Sequence, residues 1–175
     1  MPTTAQITLR PLEEGDIEFL FRLYVSTRAE EKDLLNWPDE EWNKFMRMQF
    51  TLQHTQYMKG HINPSFDIIL ENDIPAGKLY VDHRADEIRL IDIAVLPEFR
   101  RRGIAGSLMK ELLLAAEKKN KSISLHVEKN NPILGYYQRL GFQVEEDKGI
   151  YLFMVRRHDA KIAGNGEKNV GLRES

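Results

Sequence analysis

The chain has 175 residues, a formal net charge of −2 and no cysteine. That length fits one domain with a proper core, and the near-neutral balance argues against a dedicated nucleic-acid binder. The missing cysteines exclude disulfides, thiolate metal sites and a cysteine nucleophile. No apolar run reaches the length of a membrane span and no apolar leader opens the chain, so a cytoplasmic protein is the expectation.

Residues 7–12 alternate as a first strand, ended by Pro11 and Glu13-Glu14-Gly15. Asp16 is a good N-cap, and Ile17, Leu20, Phe21 and Tyr24 then recur at helical spacing, which predicts a helix to about Glu30. Trp37-Pro38 followed by Asp39-Glu40-Glu41 marks a second helix start. Trp42, Phe45, Gln49 and Leu52 give its apolar stripe, and Gly60 its C-cap. These aromatics read as core or as the lining of an apolar substrate pocket.

After Asn63-Pro64 the period becomes extended. Residues 66–70, 76–82 and 87–96 read as three strands joined by Asn72-Asp73 and Arg84-Ala85-Asp86, an antiparallel meander. A helix follows Gly103, with Ile104, Leu108, Leu112 and Ala115 on one face and Lys118-Lys119 at its negative end. Ile123, Leu125 and Val127 form the next strand, and the intervening helix makes its pairing with the previous strand parallel. Asn131-Pro132 opens another helix closed by Gly141. Residues 142–144 and 150–155 form a last hairpin across Asp147-Lys148-Gly149. Residues 1–157 read as one domain and 158–175, rich in Gly, Asn, Lys and Glu, as a flexible tail.

The chemistry concentrates in residues 91–109, I-D-I-A-V-L-P-E-F-R-R-R-G-I-A-G-S-L-M. A strand, a small-residue turn and a helix start aim unpaired backbone N–H groups and the positive end of the helix dipole at one point, a site suited to phosphate. Gly103, Ala105 and Gly106 let a ligand approach the backbone, Ser107 adds a hydroxyl, and Arg100, Arg101 and Arg102 add positive charge. Neither G-x-x-x-x-G-K-[ST] nor G-x-G-x-x-G is present; Gly77-Lys78 is followed by Leu79. Read without more, the stretch is a basic turn before a surface helix or a nuclear-localisation-type cluster. Residues 100–105 resemble motif A, R/Q-x-x-G-x-G/A, of the GNAT superfamily of acetyl-CoA-dependent N-acyltransferases. Residues 130–142, N-N-P-I-L-G-Y-Y-Q-R-L-G-F, resemble its motif B. The likeness spans residues 66–155 and is weak before them.

This resemblance implies an α/β (α+β) fold. Its central sheet is mixed and mostly antiparallel, with about six or seven strands splayed between the fourth and fifth, and about four helices flank it. It implies acetyl-CoA as co-substrate and no metal. Ile93, Ala94 and Val95 would run beside the pantetheine arm, and the amides of residues 101–107 (Arg101, Arg102, Gly103, Ile104, Ala105, Gly106 and Ser107), with Arg100, would hold the pyrophosphate. Asn130 or Asn131 would contact the arm, and Tyr137 would turn its hydroxyl to the sulfur. For Asn131 a helix cap, and for Tyr137 a core aromatic, are the alternatives. Tyr136 and Tyr137 lie about 100° apart on their helix, so one can pack inward while the other faces a cleft.

Transfer to an amine requires a neutral nucleophile. For an amine of pKa about 10.4, deprotonation at pH 7 costs roughly 4.6 kcal/mol, which gives a base its value. Positions 91 and 89, where family members often carry one, hold Ile and Arg. Asp92 is adjacent, but alternation turns it to the opposite face unless a bulge re-aims it. Glu30, Glu31, His54, His83, Glu128 or a water chain to a distant carboxylate are the other candidates. The five histidines show no metal-ligand spacing, and there is no G-x-S-x-G. The expected activity is acetyl transfer from acetyl-CoA to a primary amine by direct attack in a ternary complex. The competing reading is a CoA-binding sensor without turnover; nucleic-acid binding through Arg100 to Arg102 is a third. The acceptor should be chosen by residues 16–60, and the sequence is silent on oligomeric state.

Overall fold

A computed structural model describes residues 4–159. The expected tail, from residue 160 on, lies outside them. Among the described residues seven strands form one sheet in the order β1-β2-β3-β4-β5-β7-β6: β1 (Ile7–Pro11), β2 (Pro64–Glu71), β3 (Ile74–His83), β4 (Glu87–Val95), β5 (Ser122–Glu128), β6 (Gln143–Asp147) and β7 (Tyr151–Arg156). Only β4 and β5 pair in parallel. Helix α4 (Ile104–Lys118) supplies their crossover, as the alternating strand–helix–strand pattern requires. Asn72 and Asp73, both at positive φ, make the tight β2–β3 turn that suits the twist of a hairpin.

Two apolar layers sandwich the sheet. On one face α4 buries Ile104, Leu108, Met109 and Leu113 against Ile88, Leu90, Ile123 and Leu125, joined by Tyr137 of α5 (Leu134–Arg139). On the other, α1 (Ile17–Thr27) and α3 (Asp39–Tyr57) bury Leu20, Tyr24, Trp42, Met46 and Phe50 against Ile68. Each fully buried side chain of this size contributes about 1.5–3 kcal/mol, so the layers fix the helices over the sheet.

Several expectations change at this level. The first helix is two: it breaks at Arg28, and α2 (Ala29–Leu35) follows. Arg28 donates to the Tyr24 hydroxyl at 2.6 Å and bridges to Glu31, which fixes the bend. Asp16 does not cap α1. Its carboxylate turns back to Arg10 at 2.8 Å and to the Glu13 N–H, closing a short 3₁₀ turn. In α3 the buried stripe is Trp42, Met46 and Phe50, while Leu52 points outward. That helix also ends at Tyr57, before Gly60. In α4 Leu112 and Ala115 are only partly buried, and Met109, Leu113 and Ala116 carry the inner face. Helix α5 starts at Leu134, two residues past Pro132. Asn131 caps the preceding turn instead, accepting from the Ile133 N–H at 3.0 Å.

Candidate active site

β4 and β5 pair only from Glu87 with Ser122 to Leu90 with Leu125. Beyond Leu90 the strands part, leaving residues 91–95 and 126–128 on opposite walls of a cleft of about 880 Å³. The facing strand edges lack ladder partners there, so their polar groups are open to solvent or ligand. The parting begins at a bulge. Leu79 pairs with Ile93 and Tyr80 with Asp92, but Val81 pairs with Leu90, so Ile91 is the extra residue. One inserted residue inverts the alternation. Leu90 remains on the α4 face with Val95, while Ala94 packs with Leu23 of α1 on the other. Asp92 shares Ala94's face, where alternation counted back from Val95 puts it, and it lines the cleft; the bulge lies before it and re-aims Leu90.

The cleft runs to the start of α4, where Ala105 lines it. Gly103 has φ 76°, and its added Cβ would meet no atom within 4 Å, so backbone conformation, and not crowding, is what calls for glycine there. Regular helical bonding begins with the Ser107 N–H donating to Gly103 O at 2.9 Å, which leaves Ile104 and Gly106 N–H without an intrahelical acceptor. Of the amides expected to hold a pyrophosphate, that of Ser107 is therefore already engaged; its exposed side chain remains. The three arginines differ. Arg100 Nε donates to Val95 O at 2.9 Å, bracing the end of β4. Arg102 pairs with the buried Glu71 on β2 and lies over the Phe99 ring. Arg101, at φ 61°, is exposed and free of hydrogen bonds and ion pairs among the described residues. The charge available to an anion is thus smaller than the R-R-R run suggests.

At the middle of the cleft Asp92 meets side chains from four other elements. Lys78 Nζ of β3 lies 2.7 Å from its carboxylate and 5.0 Å from both the Tyr57 and Tyr80 ring centroids. For Tyr57 of α3, burial first, then the charge of Asp92, push the pKa well above the usual phenol value. Burial and the same carboxylate also raise Tyr80. Tyr137 of α5 lines the cleft and is buried; burial, then Tyr136 and Asp92, push its pKa up to about 12. Tyr151 of β7 closes this side.

Other candidates divide cleanly. Glu31 and Glu128 line the cleft, Glu31 in its pair with Arg28 at the mouth. Glu30 is exposed outside it. His54 stacks on Phe50, and burial and then Lys78 lower its pKa. His83 contacts Ser65 Oγ at 3.1 Å, away from the cleft. Asn131 lines the wall; Asn130 is exposed and does not. Sequence reasoning missed Tyr57, Lys78 and Tyr151, which reach the site from separate elements. It also missed His126, whose pKa is lowered by partial burial and then by Lys148 and Arg89. For His126 a signal existed: it alternates with Leu125 and Val127, so it must face away from the core. Among the described residues no group of three or more His, Cys, Asp or Glu could hold a metal, and no helix is long and apolar enough to cross a membrane.

A family model for the acetyltransferase (GNAT) domain matches residues 65–144, the segment from β2 to β6 that builds both cleft walls. Over that segment the chain is similar to the GNAT acetyltransferase domain. Its sheet, splayed between β4 and β5, is the GNAT fold. N-alpha-acetyltransferase 50 of Danio rerio is 32% identical over 98 residues, 52% of this chain and 58% of that protein. Cysteine-rich protein 2-binding protein of Homo sapiens is 31% identical over 86 residues, 47% of this chain and 11% of that protein. The chain thus matches less than two thirds of the length of these curated relatives. Among solved structures, the PaiA N-acetyltransferase of Thermoplasma acidophilum in complex with coenzyme A superimposes with TM-score 0.62 at 19% identity, covering 87% of this chain and 99% of that one.

Proposed function

We propose that this chain transfers an acetyl group from acetyl-CoA to a primary amine by direct attack in a ternary complex. One observation carries the reading: a single cleft joins the open first turn of α4, the parted edges of β4 and β5, and the side chains of Asp92 and Tyr137. The unpaired amides of Ile104 and Gly106 suit a diphosphate, and parted strand edges suit an amide-bearing arm, so the residues present fit coenzyme A. Ile93, Ala94 and Val95 would line the arm, with Asn131 across from them. Arg101 would add charge from outside, while Arg100 and Arg102 hold the loop.

Acetyl-CoA supplies an acyl carbon already activated as a thioester. The chain supplies an uncharged, oriented amine and stabilisation for the departing sulfur. With Tyr137 near pKa 12, giving its proton to a thiolate of about 8.5 is uphill by roughly 5 kcal/mol, so it donates a hydrogen bond and keeps its proton. Asp92 faces the amine side and receives the proton released as the N–C bond forms, directly or through water. Similarity to an N-alpha-acetyltransferase supports the α-amine of a peptide as the first acceptor to try.

Incubation with acetyl-CoA and a panel of α-amine peptides, polyamines and amino acids, read by free-thiol release, tests the proposal. Turnover with a sequential kinetic pattern is expected. Binding of acetyl-CoA with no thiol released by any amine would replace it with the sensor reading, and a ping-pong pattern would remove direct attack.

A further inference from the structure

Lys78 is an unusual residue for the floor of an amine-binding cleft. It sits on a central strand and is 8% exposed, held between two aromatic rings, with its ammonium on Asp92. Burying a lysine costs several kcal/mol unless its charge is balanced, and the same site could have held a leucine at no such cost. Asp92 is the balancing charge, and Asp92 is also the carboxylate facing the acceptor.

We infer that Lys78 keeps the acceptor amine uncharged on arrival, by cancelling the charge that Asp92 would otherwise show it. This deepens the acetyltransferase proposal and rests on it. A lone carboxylate in the cleft would attract the ammonium form, bind it tightly and hold its proton; an opposite charge at 4–6 Å raises an amine's pKa by about 1–3 units. An ammonium has no lone pair for the acyl carbon. With Lys78 in place the floor is a neutral pair, and a partly desolvated neutral cleft favours the free amine, whose proton has gone to solvent.

The other groups facing Asp92 leave this balance intact. Tyr80 of β3, Tyr57 of α3 and Tyr137 of α5 hold their phenol protons, and Tyr151 approaches from β7. Burial first, then nearby cations, lower the pKa of His54 on α3 and of His126 on β5, which disfavours their charged forms. Arg28 and Glu31 at the mouth pair with each other, and Arg89 on β4 with Glu87. Glu128 of β5 adds a carboxylate, and His61 a ring, further along the walls. Lys78 is therefore a positioning residue, acting through Asp92 and not on the acyl group.

The test measures kcat and KM from pH 6 to 10, with acetyl-CoA and the wild type's best amine, for wild type, Lys78→Met, Lys78→Gln and Lys78→Arg. Lys78→Gln keeps a hydrogen-bond donor for Asp92 and so separates charge from packing. In both neutral variants KM for the amine should fall about tenfold, and the acid limb of kcat should move up by about one unit or more. Near neutral pH that lowers kcat at least about tenfold, while KM for acetyl-CoA stays fixed; Lys78→Arg restores the wild-type profile. Wild-type turnover with an unmoved limb in Lys78→Gln overturns the inference and leaves the acetyltransferase reading standing. So does a drop in kcat equal at every pH. No turnover of any amine by the wild type overturns both.

Discussion

The two ends of the cleft are built from different materials. At the α4 end the main chain does the work: unpaired amides, a left-handed glycine and parted strand edges, with two of three arginines spent on bracing the loop. At the acceptor end the side chains do it: an ion pair and four phenols around Asp92. Main-chain geometry tolerates exchange of most surrounding side chains. A buried charge pair does not, because removing one partner strands the other. Motifs that survive as short strings therefore mark the first end, and the second must be found in three dimensions.

Replacing Asp92 by Asn should break the comparison hardest. Loss of a group that moves a proton costs about 10²–10⁴-fold in rate, so kcat should fall in that range while the Kd for coenzyme A, from calorimetry, stays unchanged. An equal loss in both would mean that the two ends are not separable.

Gly77 is the next lever, and it acts on the cofactor end from behind. A Cβ there would stand 2.2 Å from Ala94 O and 3.1 Å from Val95 Cα, so β4 must move. Gly77→Ala should cost about 3 kcal/mol or more in denaturant unfolding. It should also weaken coenzyme A binding more than amine binding.

Tyr137→Phe removes one hydrogen bond to a developing charge, worth about 1.5–3 kcal/mol. Turnover should fall roughly 10- to 100-fold with coenzyme A binding intact; an unchanged rate would take Tyr137 out of the mechanism.

A pH titration of stability reads the paired carboxylates outside the cleft. The hydrogen bond from Arg10 outweighs burial and holds the Asp16 carboxyl below the usual carboxylate range. Asp82 is also lowered: burial pulls it up, but the Asn63 and Ile62 N–H groups and Arg84 outweigh that. A depressed folded-state pKa contributes stability that is present above the unfolded value of about 3.9 and is lost as pH falls below it. Chemical denaturation should therefore show stability flat from pH 7 to about 5 and falling below about 4. Asp16→Asn should flatten part of that fall. The smallest effect belongs to Arg101→Ala: a fewfold loss of coenzyme A affinity that fades in high salt, as an exposed charge should.

Much of the fold could be read from residue order. Alternation placed β2 to β5, small residues marked the start of α4, and the spacing of residues 100–105 and 130–142 pointed to the cofactor. What could not be read were choices made by neighbours. Whether Phe50 or Leu52 faces inward depends on where the sheet lies beneath α3. The break at Arg28 depends on Tyr24 and Glu31 offering it partners. The bulge at Ile91 depends on how β3 pairs with β4.

By itself, then, the sequence determined most of what rests on local periodicity and backbone conformation: the order of the strands, most of the helices and the phosphate-suited turn, while the resemblance of residues 130–142 singled out Tyr137. Only the tertiary structure decided the electrostatics of the acceptor end. Lys78, Asp92, Tyr57 and Tyr137 come from four elements far apart in the chain. Charge balance is a property of distances, and distances between elements are set by packing.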